Sequence, residues 1–78
     1  MKLQIISAQE VLYTGDVTSV TMPGAMGEFT VLRNHASLLA ALTAGTVRYT
    51  EENGAQGTAA ITGGIADVDN NVISVCVY

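Results

Sequence analysis

Pro23-Gly-Ala-Met-Gly27-Glu-Phe-Thr-Val-Leu32-Arg-Asn-His35-Ala-Ser37-Leu-Leu-Ala-Ala-Leu42-Thr-Ala-Gly45 is the stretch on which the fold turns. It contains the only Pro, His and Phe of the 78-residue chain. It also holds Ser37 to Leu42, the one run that helix and strand both claim. Leu and Ala favour helix, but the run is shorter than a stable helix usually is, and Thr43-Ala44-Gly45 closes it. We read it as extended, which leaves no stretch of helical periodicity in the chain. Ahead of it, Glu28 to Leu32 reads as a short strand between the Gly24 to Gly27 loop and a turn at Arg33-Asn34-His35.

Working outward, Lys2 to Ile6 and Glu10 to Thr14 have strand composition, with a turn expected at Gly15-Asp16. Val17 to Met22 alternates Thr18, Val20 and Met22 against Val17, Ser19 and Thr21, which predicts one buried and one hydroxyl-rich face. Pro23-Gly24 is expected to stop pairing, because Pro lacks an N–H and Gly admits positive φ. Towards the C-terminus, Thr46 to Thr50 and Thr58 to Thr62 flank a polar connector containing Asn53-Gly54, a strong hairpin signal. Gly63-Gly64 breaks the chain, and Ile65 to Asp69 and Val72 to Tyr78 are joined by the two-residue turn Asn70-Asn71. Short strands punctuated this way specify one all-β domain, residues 1–78. The expected form is a sandwich or barrel of about eight to ten short strands, mostly antiparallel.

Three basic against seven acidic side chains, a net charge of −4, argue against nucleic acid as a partner, because Lys and Arg supply most of the affinity for a phosphate backbone. Only 13% of residues are charged while 49% are hydrophobic. A domain this poor in charge is suited to life against partners. Lys2 followed by Leu3-Gln4-Ile5-Ile6-Ser7 is too short and too polar for a signal-peptide core, and the run Leu38 to Leu42 falls far short of a membrane span. Both point to an intracellular protein that does not cross a membrane. Cys76, flanked by Val75 and Val77 with no cation near it in sequence, reads as a small buried hydrophobe.

No catalytic, cofactor or metal constellation is legible. His35 is the only imidazole, yet no G-x-S-x-G elbow or Cys-His spacing gives it a nucleophile, so a turn histidine making a surface or interface hydrogen bond is the simpler reading. Asp67, Asp69 and Asn71 imitate the start of a calcium loop, but Val72 stands where its Gly belongs and no bidentate Glu follows. One Cys and one His cannot make a zinc site. The glycine pairs match neither a dinucleotide fingerprint nor a P-loop.

Pro23-Gly24-x-x-Gly27-Glu28-Phe29-x-Val31-Leu32-x-Asn34-His35-Ala36-x-Leu38-Leu39, followed by Leu42-x-x-Gly45 and a strand with Arg48, resembles the ε subunit of F-type ATP synthase. Ser7-Ala8 near the start agrees, as does Gly63-Gly64-Ile65-Ala66-Asp67-Val68 leading into Asn71-Val72-Ile73-Ser74-Val75. The pieces span the chain in the expected order. Thr30 stands where the family usually has Gly, and Arg33 and Ser37 where it has Pro.

The resemblance implies a flattened β-sandwich in the rotating central stalk, packed on the γ subunit and resting on the c ring, a mechanical coupler and not an enzyme. Typical members continue into a helical hairpin, and a chain stopping at Tyr78 is expected to lack it. The complex would sit peripherally on the cytoplasmic face of the bacterial inner membrane, with no cofactor and no small-molecule substrate of its own. On this resemblance Glu28 faces the polar loops of the c ring, which usually offer Arg and Gln, while Ser7 and His35 lie near γ. Met26 and Leu42 join them as expected interface residues. Two rivals come from other classes: a small intracellular β-sandwich that binds a ligand or protein, for which three Tyr and one Phe supply few anchors, and a hydrolase built on His35.

Overall fold

The computed structural model describes residues Met1–Tyr78 and consists of eight strands without a helix. They are β1 (Lys2–Ile6), β2 (Val11–Gly24), β3 (Gly27–Leu32), β4 (Leu38–Leu42), β5 (Gly45–Glu51), β6 (Gln56–Ile61), β7 (Gly64–Asp69) and β8 (Val72–Val77). The ambiguous run is therefore strand β4, as read from the sequence. It pairs antiparallel with β7 from Leu38↔Val68 to Leu42↔Gly64, and this sheet partner outweighs the helix propensity of Leu and Ala.

All strands belong to one sheet folded over on itself. The first layer runs β4-β7-β8-β1 and ends on the first half of β2. The second runs β3, the second half of β2, β5, β6. Every pairing is antiparallel except β1 with β8. The extents of 28 × 24 × 18 Å fit a flattened sandwich.

Strand β2 makes the fold possible, and here two sequence expectations fail. No turn forms at Gly15-Asp16. The strand continues for 14 residues because Lys2 to Ile6 pairs along its first half and β5 takes over from Val17. Nor does pairing stop at Pro23, which lies opposite Glu28, while Gly24 lies opposite Gly27. Pro23 takes part through its carbonyl, which accepts the Thr43 N–H at 2.9 Å. A Cβ on Gly24 would sit 2.6 Å from the Gly27 carbonyl oxygen and 2.9 Å from the Phe29 ring, so the tight approach there needs glycine.

Where β2 passes between layers the register slips. Val17 faces Glu51 but Ser19 faces Thr50, leaving Thr18 as the extra residue of a bulge. The slip reverses side-chain parity, so Val17 and Val20 are both buried although they sit on opposite faces of a regular strand. The expected alternation holds only from Ser19 onward.

Thirteen hydrophobic residues form the core: Leu3, Ile5, Val17, Val20, Met22, Val31, Leu42, Val47, Ile61, Ala66, Val68, Ile73 and Val75. Every strand contributes, and no polar or charged side chain is buried with them. Two residues expected elsewhere change places. Leu42, expected at an interface, is 6% exposed and is core, because parity along β4 turns Leu38, Ala40 and Leu42 inward. Cys76, expected in the core, is exposed, because Ile73 and Val75 take the inward positions of β8.

Candidate functional site: two ends and an apolar row

The long axis of the strands gives the molecule two ends. At one lie the β1–β2 turn with Ser7, the β2–β3 tip with Met26, the start of β7 and the end of β8. At the other lie Met1, the β3–β4 loop with His35, and the β7–β8 turn.

At the first end, the loop Ala25-Met26 closes the β2–β3 hairpin, with Gly27 taking φ 124°. Met26 is fully exposed (102%) at its apex, far from the usual place of a large apolar side chain. Glu28, next along, sends its carboxylate to Arg48 of β5 at 3.2 Å, both about half exposed. Behind the tip, Ala25, Met26, Phe29, Leu39, Ala40 and Ala41 line most of an open groove of about 460 Å³ between the β2–β3 hairpin and β4. Ser7 sits on the β1–β2 turn, where its Oγ accepts the N–H groups of Gln9 (3.3 Å) and Glu10 (3.2 Å). Its visible work within this chain is to shape that turn.

At the second end, Asn34, Asn70 and Asn71 all have positive φ (64°, 52° and 62°). The pair Asn70-Asn71 is thus a hairpin turn of the primed type, as its sequence implied. Asn71 also clamps the β3–β4 loop. Its Oδ1 accepts the Asn34 N–H at 2.7 Å, and its Nδ2 donates to Asn34 Oδ1 at 3.0 Å. Ser37 Oγ donates to Asp69 Oδ1. His35, exposed on this clamped loop, has Nδ1 2.7 Å from the Ala36 carbonyl. Ser37 is bonded to Asp69 and not to His35, so the two residues nearest to a hydrolytic pair are not arranged as one. Glu52 takes Arg33 at 3.2 Å and the N-terminal amine at 3.8 Å. No group of three or more His, Cys, Asp or Glu side chains is placed to hold a metal ion.

Ser7, Met26 and Glu28 therefore share one end of the sandwich, and His35 lies at the other. An apolar surface beside Ser7 was not legible from motifs. Reading outward-facing residues across the first layer, Ala41↔Ile65↔Cys76↔Ile6↔Val11 are opposite one another in register. This row of apolar side chains crosses five strands at the Ser7 end, with Leu39, 74% exposed, diagonal to it; the next outward row towards His35 pairs Leu39 with the polar Asp67, Ser74, Gln4 and Thr14. Its signal in the sequence was the outward parity of Ile65, Cys76 and Ile6, hidden until strand registers were known. The second layer differs. Its outer face carries Ser19, Thr21, Thr30, Thr46, Thr50 and Thr58 around Arg48, with the exposed Leu32 opposite Ser19, and Thr21 and Thr30 hydrogen-bond to each other at 2.9 Å.

Comparison with known proteins adds the following. The sequence model of the family described as "ATP synthase, Delta/Epsilon chain, beta-sandwich domain" matches residues 1–78. An ATP synthase epsilon chain of Wolinella succinogenes is 45% identical over 69 residues, 88% of this chain and 53% of that one. One from Chlorobium limicola is 40% identical over 70 residues, 90% of this chain and 80% of that one. The chain thus spans about half the length of the Wolinella relative. Among solved structures, a chain of the Euglena gracilis mitochondrial ATP synthase, determined with OSCP, F1 and c-ring, superposes with a TM-score of 0.87 at 24% identity, covering 96% of this chain and 48% of that one. A chain of the Tetrahymena thermophila mitochondrial ATP synthase central stalk and c-ring gives 0.79 at 17% identity, covering 99% and 62%. At these identities the structural likeness speaks to the fold.

Proposed function

The chain belongs to the family of ATP synthase delta/epsilon β-sandwich domains, and from that premise we propose that it serves as the sandwich of an ε-type subunit in the central stalk of an F-type ATP synthase. In this role it is a non-catalytic rotor part. It packs on γ and docks the catalytic sector onto the c ring, so that ion flow couples to ATP synthesis. It works at the cytoplasmic face of a bacterial inner membrane, peripheral through the complex.

The observation that carries this reading is the contrast between the two outer faces. A row of Val11, Ile6, Cys76, Ile65 and Ala41, exposed except for the half-buried Ile6, suits burial against a large partner, whereas the outer face of the second layer is mostly hydroxylated, with Leu32 its one large exposed hydrophobic. The row borders the β1–β2 turn that carries Ser7, and on that proximity we assign it to γ; His35 lies at the other end of the sandwich. The β2–β3 tip projects from the end of the sandwich with Met26 at its apex and Glu28 beside it, and this is the part we assign to the c ring.

Co-expression tests the reading. The chain should co-purify with γ in a one-to-one complex, and that complex should hold the soluble motor to c-ring membranes. A chain that stays free of γ, or that binds a metabolite in the groove behind Met26 with γ indifferent to it, overturns the assignment.

A further inference from the structure

Beyond this reading, one surface remains unaccounted for. Strand β6 ends the second layer and pairs only with β5, so its other edge presents unpaired backbone groups. Natural sheets guard such edges with charge, proline, bulges or a covering segment. Here Gln56-Gly57-Thr58-Ala59-Ala60-Ile61 contains neither charge nor proline, and its register with β5 runs unbroken from Gln56 to Ile61. The other strands at the margins are protected. Edge strand β3 carries Glu28, and β4 is tied to β2 at its end through Leu42↔Gly24.

We propose that the free edge of β6 pairs with β6 of a second copy of this chain, antiparallel about a twofold axis near Thr58 and Ala59, joining two second layers into one continuous eight-stranded sheet. Self-complementarity selects this occupant. An isologous contact sets a strand against itself, which brings like charges together unless the strand has none, and β6 has none. The acidic connector next to it decides the direction. Glu51 and Glu52 lie where β5 turns towards β6, so a parallel arrangement would bring the two connectors side by side. An antiparallel one sets them a strand apart, roughly 20 Å for six residues at ~3.3 Å each, beyond the reach of exposed charges at physiological salt. Ser7, Met26, Glu28 and His35 all lie off this strand, so the pairing leaves the surfaces assigned to γ and the c ring open.

The test is sedimentation of the purified chain from micromolar to millimolar concentration, with amide hydrogen exchange at both extremes. The expected result is a shift from monomer to dimer that stops at two, with amides of β6 gaining protection as the dimer forms. Replacing Thr58→Lys together with Ala60→Lys places four lysines about the twofold axis and should keep the chain monomeric, while Ile65→Lys on the opposite layer should leave the dimer intact. A chain monomeric throughout, oligomers that grow past two, or β6 exchange that ignores concentration overturns the proposal. So does a dimer lost with Ile65→Lys and kept with the double lysine change, which would place the contact on the apolar row. Should the double variant fold poorly, the exchange pattern of the unmodified chain decides alone.

Discussion

Reversing Glu28 to Lys separates a docking residue from a structural one. In the folded chain Glu28 touches Arg48 at 3.2 Å with both side chains about half exposed. A pair in that setting stabilises the fold by about 0.2–1 kcal/mol, and turning its attraction into a similar repulsion should cost the fold about 1–2 kcal/mol at most. At the c-ring interface the same carboxylate would be partly desolvated against a donor. Losing a charge-assisted hydrogen bond there costs on the order of 2–5 kcal/mol, about 30-fold to several thousand-fold in affinity. Urea denaturation of Glu28→Lys should therefore shift slightly. Docking of the soluble motor onto membranes, read by ATP-driven ion pumping, should fall steeply, with γ binding and hydrolysis near normal. Arg48→Gln serves as the control, since it breaks the internal pair and leaves the carboxylate in place. The reasoning is refuted if Glu28→Lys pumps normally at low salt, where exposed charges are least screened, or if it costs the fold as much as it costs docking.

Other outcomes follow from the same geometry. Leu42→Ala should destabilise the domain by about 2–5 kcal/mol, as removal of a buried leucine does, whereas an interface residue would cost far less in the isolated chain; urea denaturation reads the difference. Asn71→Ala removes two hydrogen bonds to Asn34 and leaves a Cβ residue at φ 62°. It should cost about 1–3 kcal/mol and speed amide exchange in the β3–β4 loop as well as in its own turn. Burial and the neighbouring Glu51 carboxylate, which accepts the Tyr13 hydroxyl at 3.2 Å, raise the Tyr13 phenol above its ordinary value. An acid whose pKa is raised on folding adds stability that is complete below its unfolded pKa and is lost as pH rises through the folded one. Stability should thus decline above about pH 10, and Tyr13→Phe, which keeps the ring stacked on Tyr49, should flatten that alkaline loss in denaturant titrations at pH 8 to 11.

Local chemistry made the turns legible. Asn70-Asn71 takes the two positive φ values its turn demands, and Asn53-Gly54 sits in the β5–β6 connector with Gly54 at φ 89°. The strand content of Leu38–Leu42 was also readable, because the run was too short for a helix. What the sequence hid depends on partners distant along the chain. Gly15-Asp16 has turn composition, yet β1 and β5 together hold β2 extended through it. The Thr18 bulge, which brings Val17 and Val20 to the same side, exists only because β5 is in register on both sides of it. Cys76 and Leu42 were misplaced for one common reason: inside or outside on a strand is set by a parity that flanking residues alone do not reveal. The same limit concealed the apolar row, whose members lie on five different strands and come together only in the ladder. The family motif drew attention to the tip and the β3–β4 loop, but not to the row beside Ser7.

Calorimetric titration of γ onto the chain and two variants tests the central claim most directly. Ile65 is 45% exposed within the row, and burying that remaining part contributes about 0.7–1.4 kcal/mol, to which a lysine in its place adds the cost of desolvating an ammonium. Ile65→Lys should accordingly weaken γ binding by about ten- to a hundredfold, while Thr46→Lys on the hydroxylated face should leave it unchanged. Unchanged affinity with Ile65→Lys beside a loss with Thr46→Lys would place γ on the wrong layer, and an unmodified chain that γ does not bind would contradict the account altogether.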